Sequence, residues 1–174
     1  MRYDATQAEC HVFTFKEGML SAVAHDLELR VTRFEIEITD DLSSLSARFD
    51  PASLEVVGAV KGGATTPLPA FETHTIETNA ATEVLDAKHY PDIRFDSTKV
   101  TVEAGGVRVR GRLALHGHER EVDFVAHAAL GRYVGELTLH QPDFAIRPYS
   151  AMLGTLKIKP DVRVRISVPV HPRP

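Results

Sequence analysis

A chain of 174 residues, 43% hydrophobic and 25% charged, has the material for one compact domain with a real core and no disordered tail. Its net charge of -4 excludes nucleic acid as the main partner, since phosphate binding needs a clustered positive field. Its one cysteine, Cys10, excludes an internal disulfide. No apolar run approaches the roughly 20 residues needed to span a bilayer. The opening MRYDATQAE has no apolar segment of the kind that leads a secretory signal, so a cytoplasmic location is expected.

From the N-terminus, the chain alternates with period two, the mark of strands buried on one face. In the first run His11, Phe13 and Phe15 take one face, and Val12, Thr14 and Lys16 the other; the aromatic face is the expected inner one, with Cys10 opposite Phe13. GMLSAVA, residues 18 to 24, reads as a short helical turn. Next, Leu27, Leu29 and Val31 alternate with Glu28, Arg30 and Thr32, and His25 falls in register with the apolar set. Phe34, Ile36 and Ile38 then alternate with Glu35 and Glu37. Residues 58 to 70, GAVKGGATTPLPA, are turn-rich and are expected to form the longest loop.

One segment departs from the β rhythm. Ile76, Ala80 and Val84 recur at i, i+4 and i+8 with Leu85 alongside, predicting a helix near residues 72–88 with one apolar face. Tyr90-Pro91 ends it, because the residue before proline is pushed out of the α region. Beyond it the strands resume. Val107, Val109, Leu113 and Leu115 face away from Arg108, Arg110, Arg112 and His116. Val122, Phe124, Ala126 and Ala128 oppose Glu121, Asp123 and His127, and Val162, Val164, Ile166 and Val168 oppose Arg163 and Arg165. Gly105-Gly106, Gly117, Gly131 and Lys159-Pro160-Asp161 mark the turns between them. Nothing divides the chain, so residues 1–174 are read as one domain.

These elements predict an all-β protein with one or two short helices. A long antiparallel sheet removes its exposed edges by curling and closing, with an apolar inner face. A β-sandwich has the same periodicity.

EVLDAKHYPDIRFDSTKV, residues 83 to 100, resembles the stretch of YceI-like proteins that runs Leu-Asp-x-x-x-Tyr-Pro-x-Ile-x-Phe-x-Ser. GRLALHGHEREVDF, residues 111 to 124, is similar to that family's next strand pair, Gly-x-Leu-x-Leu-His-Gly-x-x-Arg-x-Val. QPDFAI, residues 141 to 146, resembles its Asp-Phe-Gly-Ile segment with Ala145 in place of glycine, and LKIKPDVRVRISV its closing strand. Where many members read Ser-Lys-Val-x-Gly after the first strand, this chain has Ser21-Ala22-Val23-Ala24-His25-Asp26. The resemblance implies an extended, lipocalin-like antiparallel barrel of about eight strands that holds a long amphiphile, typically a polyisoprenoid, in its lumen. It also implies no catalytic machinery and pairing as a homodimer.

The expected lumen lining is the inward set Phe13, Phe15, Leu27, Leu29, Ile36, Phe95, Leu113, Leu115, Phe124, Leu137, Phe144 and Ile146, with His25 as a polar group at the mouth or a residue of the core. These same side chains would equally fill a core with no ligand, which would make the protein a structural or stress-response module. A third reading is a metal-assisted hydrolase using His11, His25 or His74. Against it, His25 and Asp26 are strand neighbours that point to opposite faces. His116 and His118 flank a turn and read as solvated, and no metal or other cofactor is expected. There is no nucleophile elbow and no phosphate-binding glycine loop. The arginine stripe Arg108, Arg110, Arg112, Arg163 and Arg165 reads as a solvated outer face paired with Glu119, Glu121 and Asp123.

Overall fold

The computed structural model describes residues 1–18 and 24–170. Its strands, in chain order, are β1 (Arg2–Asp4), β2 (Glu9–Thr14), β3 (Lys16–Glu17), β4 (Asp26–Val31), β5 (Phe34–Ile38), β6 (Leu45–Phe49), β7 (Leu54–Lys61) and β8 (Ala64–Thr66). Helix α1 (Ala70–Asn79) follows, then β9 (Ile93–Glu103), β10 (Gly106–Leu115), β11 (His118–Ala129), β12 (Arg132–His140), β13 (Ser150–Ala151), β14 (Leu156–Ile158) and β15 (Asp161–Pro169). Among the described residues twelve strands form one sheet in the order β1-β5-β6-β9-β10-β11-β12-β15-β2-β4-β7-β8, and β13-β14-β3 form a small second one. The pairings are antiparallel throughout.

The sheet curls. Tyr3 of β1 and Phe34 and Phe49 of β5 and β6 pack in one cluster with Cys10 of β2 and Val168 of β15, although β1 and β2 are far apart in the strand order. A second cluster joins Phe95, Val107, Val109, Leu113 and Leu115 of β9 and β10 to Phe144 and Ile146, which lie across them from the segment after β12. Alternation explains both clusters, since it turns alternate apolar side chains of each strand to the inner side of the curled sheet.

Three expectations need correction. The main sheet has twelve strands where about eight were expected, because three-residue edge strands such as β1 and β8 are too short to show a period. Residues 58 to 70 are not one long loop: β7 runs to Lys61, turns at Gly62-Gly63 and returns as β8. The helix starts at Ala70 and is α-helical only to Asn79, after which Ala80–Val84 form a π-helical turn. It ends well before Tyr90-Pro91. The helical turn expected at 18 to 24 falls mostly on residues 19–23, outside the described residues.

The turn at residues 116–117 is a two-residue hairpin with both φ angles positive, His116 at 52° and Gly117 at 73°, the twist that such turns require. A Cβ on Gly117 would lie 2.7 Å from Cε1 of Tyr90, so glycine here lets the Tyr90 ring settle on the turn. That ring stands 4.4 Å from the His116 ring, centroid to centroid, and His116 Nδ1 is 3.2 Å from the Phe144 carbonyl oxygen. The His-Gly pair and the Tyr-Pro motif thus lock one end of the barrel. His116 and His118 are half-buried in this packing, not the solvated turn histidines expected.

Candidate functional site

Inside the curl lies a cavity of about 590 Å³. Leu27 and Leu29 of β4 face it from one wall, Leu113 and Leu115 of β10 from another, and Ile36, Phe95, Phe124 and Leu137 from strands between. Phe144 and Ile146 close the wall beside the 116–117 turn, and α1 with the π-helical turn lies across the opening through Ile76, Ala80 and Val84. The inward position of Gly135 leaves room for the Phe124 ring, whose nearest carbons would stand 3.2 Å from a Cβ there. The wall is overwhelmingly hydrocarbon.

Every expected lining residue borders this cavity except Phe13 and Phe15. The parity of β2 is the reverse of that expected: Cys10, Val12 and Thr14 face inward. The register explains it, because Phe13 is paired directly with Arg163 and Val12 with Val164, and direct partners share a face. Phe13 and Phe15 lie outside under the Arg163 guanidinium, 4.8 and 5.9 Å from their ring centroids, a cation–π contact that shields both rings. Cys10, on the inner wall, has its thiol pushed up to about 12 by burial, and is no nucleophile at neutral pH.

His25 stands at the cavity mouth, its side chain 41% exposed, and is not a core residue. Its Nε2 is 3.3 Å from Glu72 Oε1 in the first turn of α1. Asp26, one residue on, turns away and accepts a hydrogen bond from the Lys16 backbone N–H at 2.9 Å. The same end of the cavity carries further polar groups that the sequence pattern did not reveal. Thr14 borders the cavity with its Oγ1 buried and without a hydrogen-bond partner among the described residues. Asn79 Nδ2 donates to Tyr149 Oη at 3.1 Å, and Gln141 Nε2 donates to the Lys159 carbonyl at 3.1 Å. One signal for Thr14 was present in the sequence, in the outward arginines of β15, but it becomes readable only once the pairing register is known.

The three histidines weighed as metal ligands sit apart. His11 Nδ1 is 2.8 Å from Glu28 Oε1 on the outer face, His25 faces Glu72, and His74 is exposed on α1. Among the described residues no three His, Cys, Asp or Glu side chains gather as a metal site would require. The arginine stripe is an ion-paired ladder: Arg108 and Arg110 each reach Asp123 at 3.1 Å. Hydrogen bonding from Arg110 holds the Asp123 carboxyl below the usual carboxylate range.

A curled antiparallel sheet around an apolar lumen, with one helix across the opening, defines a lipocalin-like binding fold. The model of the YceI-like domain family matches residues 3–170, and the chain belongs to that family. Among solved structures, BcnA of Burkholderia cenocepacia superposes with a TM-score of 0.67 at 14% identity, covering 95% of this chain and 97% of that one. A polyisoprenoid-binding domain from Saccharophagus degradans, implicated in plant cell wall breakdown, gives 0.59 at 14% identity over 96% and 95% of the two chains. The YceI protein of Campylobacter jejuni gives 0.60 at 13% over 84% and 85%. No curated protein sequence matches the chain. No helix among the described residues is long and apolar enough to cross a membrane.

Proposed function

We propose that this protein binds a long-chain isoprenoid or similar lipid non-covalently in its lumen and serves as a carrier or store, without catalysis. The observation that supports this reading is the 590 Å³ cavity, walled by aliphatic and aromatic side chains from strands all around the curl. A core filled by its own side chains, the structural-module reading, would leave no such space. Membership of the YceI-like family and the fold shared with a polyisoprenoid-binding domain favour the same ligand class.

The magnitudes select a long tail. Each buried methylene is worth about 0.8 kcal/mol, so an isoprene unit of five carbons contributes ~4 kcal/mol at most. Association itself costs roughly 4–15 kcal/mol, so micromolar binding takes several units. Pairing as a homodimer and a cytoplasmic location are parts of the same proposal, checked by light scattering and by cell fractionation.

The test is native mass spectrometry and solvent extraction of the purified protein, followed by titration with a polyprenol. Stoichiometric lipid, or saturable polyprenol binding, is the expected result. Lipid-free protein that also fails to bind added polyprenol would overturn the reading.

A further inference from the structure

Apolar side chains stand in solvent on the outer rim of the barrel. Leu153 is fully exposed and Met152 is 65% exposed, at the tip of the hairpin between β13 and β14. Phe71, the exposed ring of α1, directly precedes Glu72, which meets His25. The hairpin belongs to the same end of the molecule. Its strand β14 pairs Ile158 with Lys16 and Lys157 with Glu17 of β3, and β3 continues β2 past Thr14. The tip lies beyond β3, since a Cβ on Gly18 would stand 2.7 Å from the Thr155 carbonyl oxygen. Met152 and Leu153 both take positive φ, 51° and 55°, a conformation unfavourable for residues with a Cβ. The turn buries neither side chain in return.

The flanks of this tip are basic. Between Asp143 and Asp161 the sequence has Arg147, Lys157 and Lys159 and no acidic residue, in a chain of net charge -4. All three are exposed, and among the described residues none of them makes an ion pair. Glu17 is the direct strand partner of Lys157 without coming within ion-pair distance. On the outer face, by contrast, Arg30 is paired with Glu55 and Arg110 with Asp123. An apolar tip between unpaired cations suits an anionic bilayer, where the tip enters the acyl boundary and the cations meet lipid phosphates. It suits a second copy of the chain poorly, because a symmetric contact through the tip sets the same positive charges against each other.

We propose that Met152, Leu153 and Phe71, with the basic flanks of the hairpin, dock this end of the protein on an anionic phospholipid bilayer. This rests on the lipid-binding reading above and adds the surface from which the ligand is collected. A chain apolar enough to gain by entering the lumen is as poorly held by water outside it, and resides in bilayers. Docking lets it pass between the two without crossing water.

The test is flotation of the intact protein with vesicles of phosphatidylcholine mixed with phosphatidylglycerol, and with vesicles of phosphatidylcholine alone. Binding to the mixed vesicles is expected, weaker on phosphatidylcholine alone and weaker at high salt. Leu153→Asp should reduce it by at least about tenfold, through a lost apolar contact and an added negative charge. Changing Lys157 and Lys159 together to glutamate should reduce binding to the mixed vesicles by at least about tenfold. Leu130→Asp should leave it unchanged: Leu130 is as exposed as Leu153, but it lies by Pro169, at the end of β15 away from the mouth. Polyprenol added in solvent should still bind Leu153→Asp, which shows that the variant folds. No flotation by a protein that binds polyprenol added in solvent overturns the docking surface alone, as does flotation that Leu153→Asp leaves intact. A dimer that Leu153→Asp splits, seen by light scattering without vesicle binding, also overturns it and makes the tip a contact between copies. Flotation of a protein that takes up no polyprenol, from solvent or from vesicles, overturns the lipid-binding reading and leaves the docking surface standing.

Discussion

Ala145 is the residue at which a small departure from the family pattern has a visible structural cost. It sits at φ 53°, ψ 25°, closing the turn after residues 141–144, and its N–H reaches the Pro142 carbonyl at 3.0 Å. YceI-like proteins place glycine at this point of the motif, and a Cβ in the left-handed region costs roughly 1–2 kcal/mol. The adjacent Phe144 and Ile146, both buried, keep the turn in place despite that cost, since their packing against β9 and β10 fixes the chain on either side. Ala145→Gly should therefore stabilise the fold by about 0.5–1 kcal/mol, the strain relieved less the extra backbone freedom of glycine in the unfolded chain. Urea unfolding followed by tyrosine fluorescence measures it; a loss of stability would mean that the turn is relaxed with alanine. The sequence comparison located this position, but the sign of φ there is a property of the turn.

At the scale of elements, the helix over the mouth is held by polar contacts more than by a hydrophobic stripe. Phe71 on α1 is 75% exposed and no residue of α1 is buried. Where β7 bulges, two of its residues oppose one step of β4, between the pairs Glu28–Gly58 and Leu29–Val56. There the Val56 N–H donates to Glu77 Oε1 at 2.8 Å. Such a bulge leaves a strand N–H without its ladder partner, and here the helix supplies the acceptor. Glu77→Ala should destabilise the protein by about 1–3 kcal/mol, the range for losing a charged acceptor to a part-buried donor, and should raise hydrogen exchange at the Val56 amide. Unchanged exchange there would show that the contact does not anchor α1. Elements of this kind divide what was legible in the sequence from what was not. Long one-sided strands such as β10 and β11 announce themselves by alternation, and the helix by Ile76, Ala80 and Val84. The bulge at Val57, the faces of β2 and the short strands β1 and β8 depend on register, which is set by partners far away in the chain. The same dependence hid Thr14 and Tyr149, whereas His25 could be placed at the mouth from its own strand.

For the molecule as a whole, the central physical question is why a protein keeps a large apolar space that packing would ordinarily eliminate. Residual cavity volume destabilises at about 24 cal/mol per Å³ in engineered cores, so an empty lumen of 590 Å³ is a heavy burden for a domain with stability of only about 5–15 kcal/mol. The curled sheet carries it because its pairing is continuous from β1 to β8 and because Tyr3, Phe34 and Phe49 pack against Cys10 and Val168 of strands distant in the sheet order. Filling the space from within should then raise stability and remove binding together. Ala126 is the position for this test: it borders the cavity, its strand partners Val107 and Gly135 do the same, and added bulk there projects into open space. Ala126→Phe is expected to hold or raise the thermal midpoint while lowering polyprenol binding by at least about tenfold. Far-ultraviolet circular dichroism should be unchanged. Should the variant bind lipid as well as the original chain, the lumen would not be where the tail resides. If it were destabilised by more than the roughly 1–3 kcal/mol typical of an overpacked core, the side chain at 126 would not project into open space.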